Sequence, residues 1–187
     1  DGMGHGNQAA LESRQAVELL RMCLDAGYDR AQTLTAVNGM MLLAGQGERF
    51  TTVDLFLLDL WTGKASLDKL GAAGSYLMQS EGLSLLGGDA LPLGILENVE
   101  SGEKLMQLHQ GDTLILLSDG VEDAYENRQS MEETIRDALT LETAQDAANA
   151  ILTGAQSGDA APADDQTVLV LRLIRARADA KIEEMYQ

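Results

Sequence analysis

The chain has 187 residues, of which 30 are Asp or Glu and 13 are Lys or Arg, so its formal net charge is −17. A charge of that sign is repelled by phosphate backbones and anionic lipid surfaces, which argues against nucleic-acid and membrane partners. Hydrophobic residues make up 45% of the chain and aromatic residues only 4%, which predicts a globular core of Leu, Val, Ala, Ile and Met. The length suits one sizeable domain.

Cys23 is the single cysteine, which excludes an intramolecular disulfide or a multi-cysteine zinc site and fits a reducing, cytoplasmic setting. No apolar run approaches the ~18 residues of a membrane span, and no signal peptide is recognisable. The sequence opens at Asp1 without an initiating Met, from which we expect a fragment of a longer protein.

Two helices are predicted at the start of the chain. Apolar residues recur at helical spacing over 8–24 and again up to about residue 44. Gly27 suits the left-handed position after the first helix, and Asp29 is a candidate cap for the second. Gly39 is a weak point inside the second helix, because glycine costs about 1 kcal/mol relative to alanine there.

The middle of the chain changes to short β-strands. Strands are predicted over 51–60, 64–70, 75–79, 82–86, 103–109 and 113–117. The last of them (TLILL) is the strongest signal for a strand that is buried on both faces. Because tight Gly-containing turns join the strands, we expect an antiparallel meander, since a parallel pair needs a crossover of roughly a dozen residues.

Two further helices, a final strand and a tail complete the chain. Capping patterns at Ser130 and Thr143 predict helix starts. A last strand is predicted over 166–174, and residues 175–187 are predicted to form a charged, helical tail outside the domain. The layout indicates an α+β domain in which helices are segregated from an antiparallel sheet.

Three acidic clusters stand at the ends of these elements. They are Asp1-Gly2 before the first helix, Asp119 to Asp123 after the strand 113–117, and Asp164-Asp165 before the last strand. Taken singly, each is more often a solvated turn than a site, because Asp-Gly is a common turn signal. If strand ends bring them together, their repulsion requires a compensating cation, and oxygen donors without His or Cys are typical ligands of Mg²⁺ and Mn²⁺.

Five segments carry a resemblance to a known family. They are 1–6 (DGMGHG), 52–55 (TVDL), 91–95 (LPLGI), 118–121 (SDGV) and 164–168 (DDQTV). In this order they resemble the metal-dependent type 2C protein phosphatases, and within that family the sporulation branch. The resemblance implies an α-β-β-α sandwich of two antiparallel sheets flanked by helices, with the phosphatase domain spanning 1–174. Relatives supply upstream strands and one more metal-ligating Asp, so we expect both to be missing from this chain.

The resemblance also implies the chemistry, which is direct hydrolysis of phosphoserine by water activated between two Mn²⁺ or Mg²⁺ ions. By position, Asp1 would bridge the metals and Gly2 would contribute its carbonyl oxygen. Asp119 and Asp164 would bind the second metal. Asp123 and Asp165 are implied as outer or third-metal ligands.

Other reactive side chains are interpreted as structural. Direct hydrolysis needs no side-chain nucleophile, so neither Ser118 nor Cys23 is assigned that role, and Cys23 is expected in the core. Many relatives have a proton-donating His directly after the Asp-Gly pair, where this chain has Met3. The role of His5 stays open between a loop residue and a substrate contact, and His109 is expected at the surface.

The implied function is a protein serine phosphatase that acts on a small phosphorylated anti-sigma-factor antagonist and so controls sigma-factor activation in sporulation. Two alternatives stay open: a stress-response phosphatase of the same family, and a non-catalytic regulatory or scaffold module of the same fold. The two opening helices are either ordinary covering helices or, by resemblance, a regulatory switch. A homodimer and a membrane anchor elsewhere in a longer parent protein also stay open.

Overall fold

The computed structural model describes residues 7–45, 50–99, 102–157 and 164–174. The predicted tail over 175–187 lies outside these ranges. Within them the chain forms α1 (Asn7–Asp25), α2 (Arg30–Gly45), β1 (Val53–Leu58), β2 (Lys64–Leu70), β3 (Ser75–Gln79), β4 (Gly82–Leu86), β5 (Lys104–Gln107), β6 (Thr113–Leu117), α3 (Asp119–Glu122), α4 (Arg128–Ala138), α5 (Ala144–Ala155) and β7 (Val168–Arg172). None of the described helices is long and apolar enough to cross a lipid bilayer.

The strands form two antiparallel sheets instead of one continuous meander. One sheet has the order β1-β2-β5 and the other the order β4-β3-β6-β7. The hairpins β1–β2 and β3–β4 agree with the prediction, but β2 pairs next with β5, and β3 pairs next with β6. The meander prediction is therefore wrong at this point, and the two-sheet arrangement implied by the resemblance is confirmed. The chain passes from one sheet to the other through residues 71–74.

Each sheet carries helices on its outer face, which gives the layer order α-β-β-α. The hairpin of α1 and α2 packs on the three-stranded sheet through Leu20, Val37 and Leu55. On the opposite side of the molecule, α4 and α5 pack on the four-stranded sheet, where Ile135 lies in the same core as Ile115. Burial of these apolar helix faces stabilises the outer layers.

A third core lies between the two sheets and explains why the strands are apolar on both faces. In β6, Leu114 belongs to this inner core, whereas its neighbour Ile115 packs with α4 and α5. In β1, Leu55 packs with α1 and α2, whereas Phe56 packs in the inner core. Because successive side chains of a strand point to opposite faces, each strand contributes to two cores.

Two predicted helix starts are confirmed by their capping hydrogen bonds. The Asp29 carboxylate accepts a hydrogen bond from the N–H of Gln32 at 2.8 Å, just ahead of α2. The Thr143 hydroxyl accepts a hydrogen bond from the N–H of Asp146 at 3.0 Å and caps α5. These caps satisfy N–H groups that have no partner inside their own helix.

The predicted start of α4 at Ser130 is wrong. The helix begins at Arg128, and Asn127 is its cap, because the Asn127 side chain accepts a hydrogen bond from the N–H of Ser130 at 2.9 Å. Ser130 lies in the first turn, where its hydroxyl donates to the Asn127 carbonyl at 2.8 Å. Asn is as strong a cap as Ser, and Asn127 takes the cap position here.

Candidate active site

Two segments that are far apart in the sequence meet where β6 ends. The N–H of Ser118 donates to the Thr167 carbonyl at 3.0 Å, and the Thr167 N–H donates to the Ser118 hydroxyl at 2.9 Å. The same hydroxyl donates to the Asp165 carbonyl at 3.1 Å. Since β6 pairs with β7 along its length, the segments that follow one strand and precede the other are held side by side. Two of the three predicted acidic clusters therefore lie together.

Gly120 allows these segments to approach closely. A methyl group at Gly120 would lie 2.5 Å from the carbonyl oxygen of Asp165 and 3.2 Å from the Cβ atom of Asp164. The Gln166 side chain donates to the Gly120 carbonyl at 3.1 Å, which adds a polar connection. The glycine of the SDG segment is thus required by the close approach of another backbone.

A cavity of about 310 Å³ opens beside this contact. Three carboxyl side chains from separate parts of the chain line it, namely Asp54 of β1, Asp119 of α3 and Asp165. Ser13 of α1 and residues 71–73 complete much of the wall. Residues 71–73 have only hydrogen or methyl side chains, so this side of the cavity is not obstructed.

The predicted acidic residues take different places around the cavity. Asp119 is exposed, and its carboxylate accepts a hydrogen bond from the N–H of the next residue at 2.9 Å. Asp165 is exposed and lines the same cavity. Asp164 is half-buried, and its carboxylate accepts the N–H of Asp165 at 2.8 Å. Asp123 is exposed at the C-terminal end of α3 and is absent from the cavity lining that the described residues form.

The Asp-Gly motif at the start of the chain lies outside the described residues, so the roles of Asp1, Gly2 and His5 stay predictions. Directly after the motif, α1 begins at Asn7, and it contributes Ser13 to the cavity wall. Within the described ranges, no three His, Cys, Asp or Glu side chains are grouped closely enough to hold a metal ion. The part of Asp1 and Gly2 in an implied metal centre therefore stays a prediction.

The donors that do line the cavity suit a hard cation. Asp119 and Asp165 offer carboxylate oxygens, and neither His nor Cys is among the described lining residues. Oxygen donors of this kind bind Mg²⁺ and Mn²⁺. Neighbouring carboxylates also repel one another unless a cation compensates them. The described part of the site thus fits the divalent ions that the resemblance implies.

The remaining candidate groups have structural surroundings. The Ser118 hydroxyl is occupied by the hydrogen bonds that join the two acidic segments. Cys23 is half-buried and packs against the core beneath α1 and α2. The His109 side chain is 71% exposed and lies 3.7 Å from the Asp112 carboxylate. These positions agree with the interpretation of all three as structural or surface residues.

Asp54 was not recognised as a site residue from the sequence. It lies on β1, with its side chain 14% exposed, and both of its oxygens accept hydrogen bonds from Lys69. Burial raises the pKa of the Asp54 carboxyl, and the hydrogen bonds and positive charge of Lys69 oppose that rise. A signal was available, because an Asp inside an otherwise apolar strand needs a specific partner.

Glu122 was missed for a different reason. Its carboxylate accepts a hydrogen bond from the backbone N–H of Gly74 at 3.0 Å, which ties α3 to the loop that lines the cavity. The partner is a main-chain group 48 residues away, and no pattern of side chains in the sequence predicts this hydrogen bond. Glu122 thus helps to hold Asp119 and the loop in a fixed relation.

Comparison with solved structures places this architecture in a known class. The chain superposes on the PP2C phosphatase domain and regulatory-domain fragment of the cell fate determinant SpoIIE from Bacillus subtilis with a TM-score of 0.81 and 28% identity, covering 92% of this chain and 52% of that chain. It also superposes on the catalytic domain of the serine/threonine phosphatase PstP in complex with two manganese ions, with a TM-score of 0.75 and 21% identity. That superposition covers 94% of this chain and 86% of the PstP chain. The second likeness concerns the fold alone. The fold is that of the PP2C-type phosphatases.

The sequence identifies the family within that class. The model of the stage II sporulation protein E family matches residues 1–174. The chain is 31% identical over 121 residues to stage II sporulation protein E of Priestia megaterium. It belongs to the stage II sporulation protein E family, which confirms the resemblance seen in the five segments. The match covers 65% of this chain and 21% of the relative, so this chain spans about a fifth of that relative's length.

Proposed function

We propose that this chain is the catalytic part of a metal-dependent protein serine phosphatase. The observation that carries the proposal is the contact between 118–120 and 164–167, since it brings Asp119 and Asp165 to one cavity. The proposed ligands of two Mn²⁺ or Mg²⁺ ions are Asp1, Gly2, Asp119 and Asp164, with Asp123 and Asp165 as outer or third-metal ligands. The manganese ions bound by PstP support this choice of cation.

The chain's own residues would hold the cations and shape the cavity for the substrate. Two bound ions supply an activated water and neutralise charge on the phosphoryl oxygens. Ser118 is not a competing nucleophile, because its hydroxyl donates to the Asp165 carbonyl and accepts from the Thr167 N–H. The small side chains over 71–73 leave room beside Asp119 for a phosphorylated segment of another protein. Direct hydrolysis is therefore the mechanism that these surroundings favour.

The proposed substrate is phosphoserine on a small anti-sigma-factor antagonist, and the proposed setting is sigma-factor control in sporulation. Membership of the stage II sporulation protein E family supports this branch over a stress-response phosphatase. The formal charge of −17 also disfavours a phosphorylated nucleic acid as the substrate.

The test measures hydrolysis of a chromogenic phosphate ester by the longest natural polypeptide that contains this chain, with Mn²⁺ and after chelation. We expect turnover that requires Mn²⁺ and falls at least about 100-fold in Asp119→Asn, because loss of a ligand removes several kcal/mol of charge stabilisation. Asp137→Asn is the matched control, since it makes the same charge change at an exposed position on α4. It should retain parental turnover.

Different outcomes separate the alternatives. Turnover that is independent of Mn²⁺, or that Asp119→Asn leaves unchanged, would overturn the proposed mechanism. Absent turnover with intact Mn²⁺ binding would favour the non-catalytic module. The substrate is tested separately with phosphoserine, phosphothreonine and phosphotyrosine forms of an anti-sigma-factor antagonist, and preferential release from phosphoserine is expected.

A further inference from the structure

A lysine is completely buried next to the candidate active site. Lys69, on β2, has no exposed surface, and its Nζ atom donates to both Asp54 oxygens at 2.7 and 2.9 Å. It also donates to the Ser75 hydroxyl at 2.9 Å. All donors of a lysine ammonium can thus be satisfied by two side chains. We refer to Lys69, Asp54 and Ser75 as the lysine cluster.

The lysine cluster connects the two sheets at the place where the chain crosses between them. Asp54 and Lys69 lie on adjacent strands of the three-stranded sheet, where Asp54 is the register partner of Lys69. Ser75 is the first residue of β3 in the other sheet. Between Lys69 and Ser75 runs the loop whose residues 71–73 line the cavity. The cluster therefore holds both ends of that loop.

Stability alone does not account for the cluster. Moving two charges out of water carries a large desolvation penalty, and an apolar pair of similar size is often at least as stable. The surroundings of Lys69 are also closely packed, because a methyl group at Gly88 would lie 2.8 Å from the Lys69 Cβ atom. A buried ion pair in such a position calls for a role beyond packing.

The exposed end of the cluster indicates what that role is. Asp54 retains 14% exposure, whereas Lys69 has none, so the pair presents only its carboxylate to the outside. That carboxylate lines the same cavity as Asp119 and Asp165. Because Lys69 donates hydrogen bonds to both oxygens, the Asp54 side chain is held in one orientation instead of sampling several rotamers.

We propose that Lys69 is a positioning residue of the phosphatase site, holding the Asp54 carboxylate in the cavity wall as an outer acidic group that supports cation binding beside Asp119. The inference rests on the proposed function for its cation. Partners that orient the ligands of a metal site typically change metal affinity or activity by about 10–100-fold when they are removed.

A double-variant cycle separates this role from a purely structural one. In the longest natural polypeptide that contains the chain, Lys69→Met and Asp54→Asn each leave one buried group without its charged partner. Each should lower Tm by more than about 5 °C. The double variant removes both charges of the Lys69–Asp54 pair and should recover most of that loss. We expect its Mn²⁺ dissociation constant, measured by calorimetry, to remain at least about tenfold weaker than that of the parent.

The chain offers a control in a second ion pair, which joins α2 to the same sheet. Arg30 bonds the fully buried Asp68, the neighbour of Lys69 on β2, and neither lines the cavity that the described residues form. The double variant Arg30→Met with Asp68→Asn should bind Mn²⁺ as tightly as the parent. A lysine-cluster double variant that recovers both Tm and parental Mn²⁺ affinity would overturn the inference, as would an equal loss of affinity in the control.

A second measurement needs no folded variant. During a Mg²⁺ titration of the parent followed by NMR, the Lys69 ammonium resonance should shift with saturation, whereas the Arg30 guanidinium resonance should not. An unmoved Lys69 resonance at saturation contradicts the inference. Because neither readout requires hydrolysis, a parent that binds Mn²⁺ but does not cleave phosphate esters would overturn the proposed function alone. A parent that binds neither ion would overturn both.

Discussion

Two tyrosines beside the four-stranded sheet differ in whether their hydroxyl groups are satisfied. Tyr76, on β3, is fully buried, and its hydroxyl has no hydrogen-bond partner among the described residues. The Tyr125 hydroxyl donates to the Ile151 carbonyl of α5 at 2.7 Å. Burial raises the pKa of both phenols, and the charges of Glu132 and Glu122 raise that of Tyr76 further. The two side chains therefore differ in whether a hydrogen bond compensates the burial of the hydroxyl.

This difference predicts opposite effects of the same substitution. Tyr76→Phe should leave Tm unchanged or raise it, because it removes a buried polar group that has no partner. Tyr125→Phe should lower the free energy of unfolding by about 1 kcal/mol, since it removes the hydrogen bond that the hydroxyl donates to the Ile151 carbonyl. Thermal and urea unfolding of the two variants checks this order. A larger loss in Tyr76→Phe than in Tyr125→Phe would contradict it.

At the scale of elements, side chains of the helices hold the loops between strands. Asn38, on α2, is 2% exposed. Its side chain accepts the N–H of Gly94 at 2.8 Å and donates to the carbonyls of Leu96 and Glu97 at 2.8 and 3.3 Å. The helix is thereby bonded to the LPLGI segment, one of the five family segments. This contact provides a physical route for the proposed switch, which stays a prediction.

The cap of α4 at Asn127 predicts different losses of stability for alanine substitutions at Asn127 and Ser130. Asn127→Ala should destabilise the protein by about 1 kcal/mol, because the N–H of Ser130 loses its cap. Ser130→Ala should cost less, since the Ser130 hydroxyl donates only to the Asn127 carbonyl and caps no N–H group. Urea unfolding of the two variants compares them directly. The reverse order would restore Ser130 as the cap.

At the scale of the whole molecule, the site exists because two sheets and their helices bring distant segments to one cavity. Asp54 comes from the three-stranded sheet, whereas Asp119 and Asp165 flank strands of the other. The lysine cluster and the bond from Gly74 to Glu122 join the two sides. The geometry of the candidate site therefore depends on how the sheets pack on each other as well as on local motifs.

A substitution at Gly120 tests whether the site depends on the close approach of the two acidic segments. Gly120→Ala places a methyl group 2.5 Å from the Asp165 carbonyl, so the two acidic segments must separate. We expect a loss of about 1–3 kcal/mol of stability from overpacking and a fall of about 100-fold in Mn²⁺-dependent turnover from misplaced ligands. Calorimetry with Mn²⁺ and ester hydrolysis measure both effects.

Gly39→Ala is the matched control, because, apart from α2's own backbone and the adjacent residues, no atom of the described residues lies within 4 Å of the added methyl group. It should raise stability by about 0.5–1 kcal/mol through helix propensity and leave turnover unchanged. Parental turnover in Gly120→Ala would show that the close approach of the two segments is not needed for activity.

Local patterns determined most of the secondary structure and the family of this protein. The strand 113–117 and the helix after Thr143 could be predicted because apolar periodicity and capping depend on residues close together in the chain. The acidic segments around Asp119 and Asp164 were recognisable because each is a short motif beside a strong strand. The layer order followed from the resemblance and not from periodicity.

Tertiary structure alone decided which strands pair and which charges meet. Pairing of β2 with β5, and of β3 with β6, joins segments separated by other strands, and turn signals report only neighbouring pairs. Lys69 and Asp54 read separately as two charged residues in apolar strands, and only the register of β1 with β2 makes them partners. The motifs of the chain thus indicate its family, whereas long-range packing places the carboxylates, because burial and strand pairing are properties of the assembled sheets.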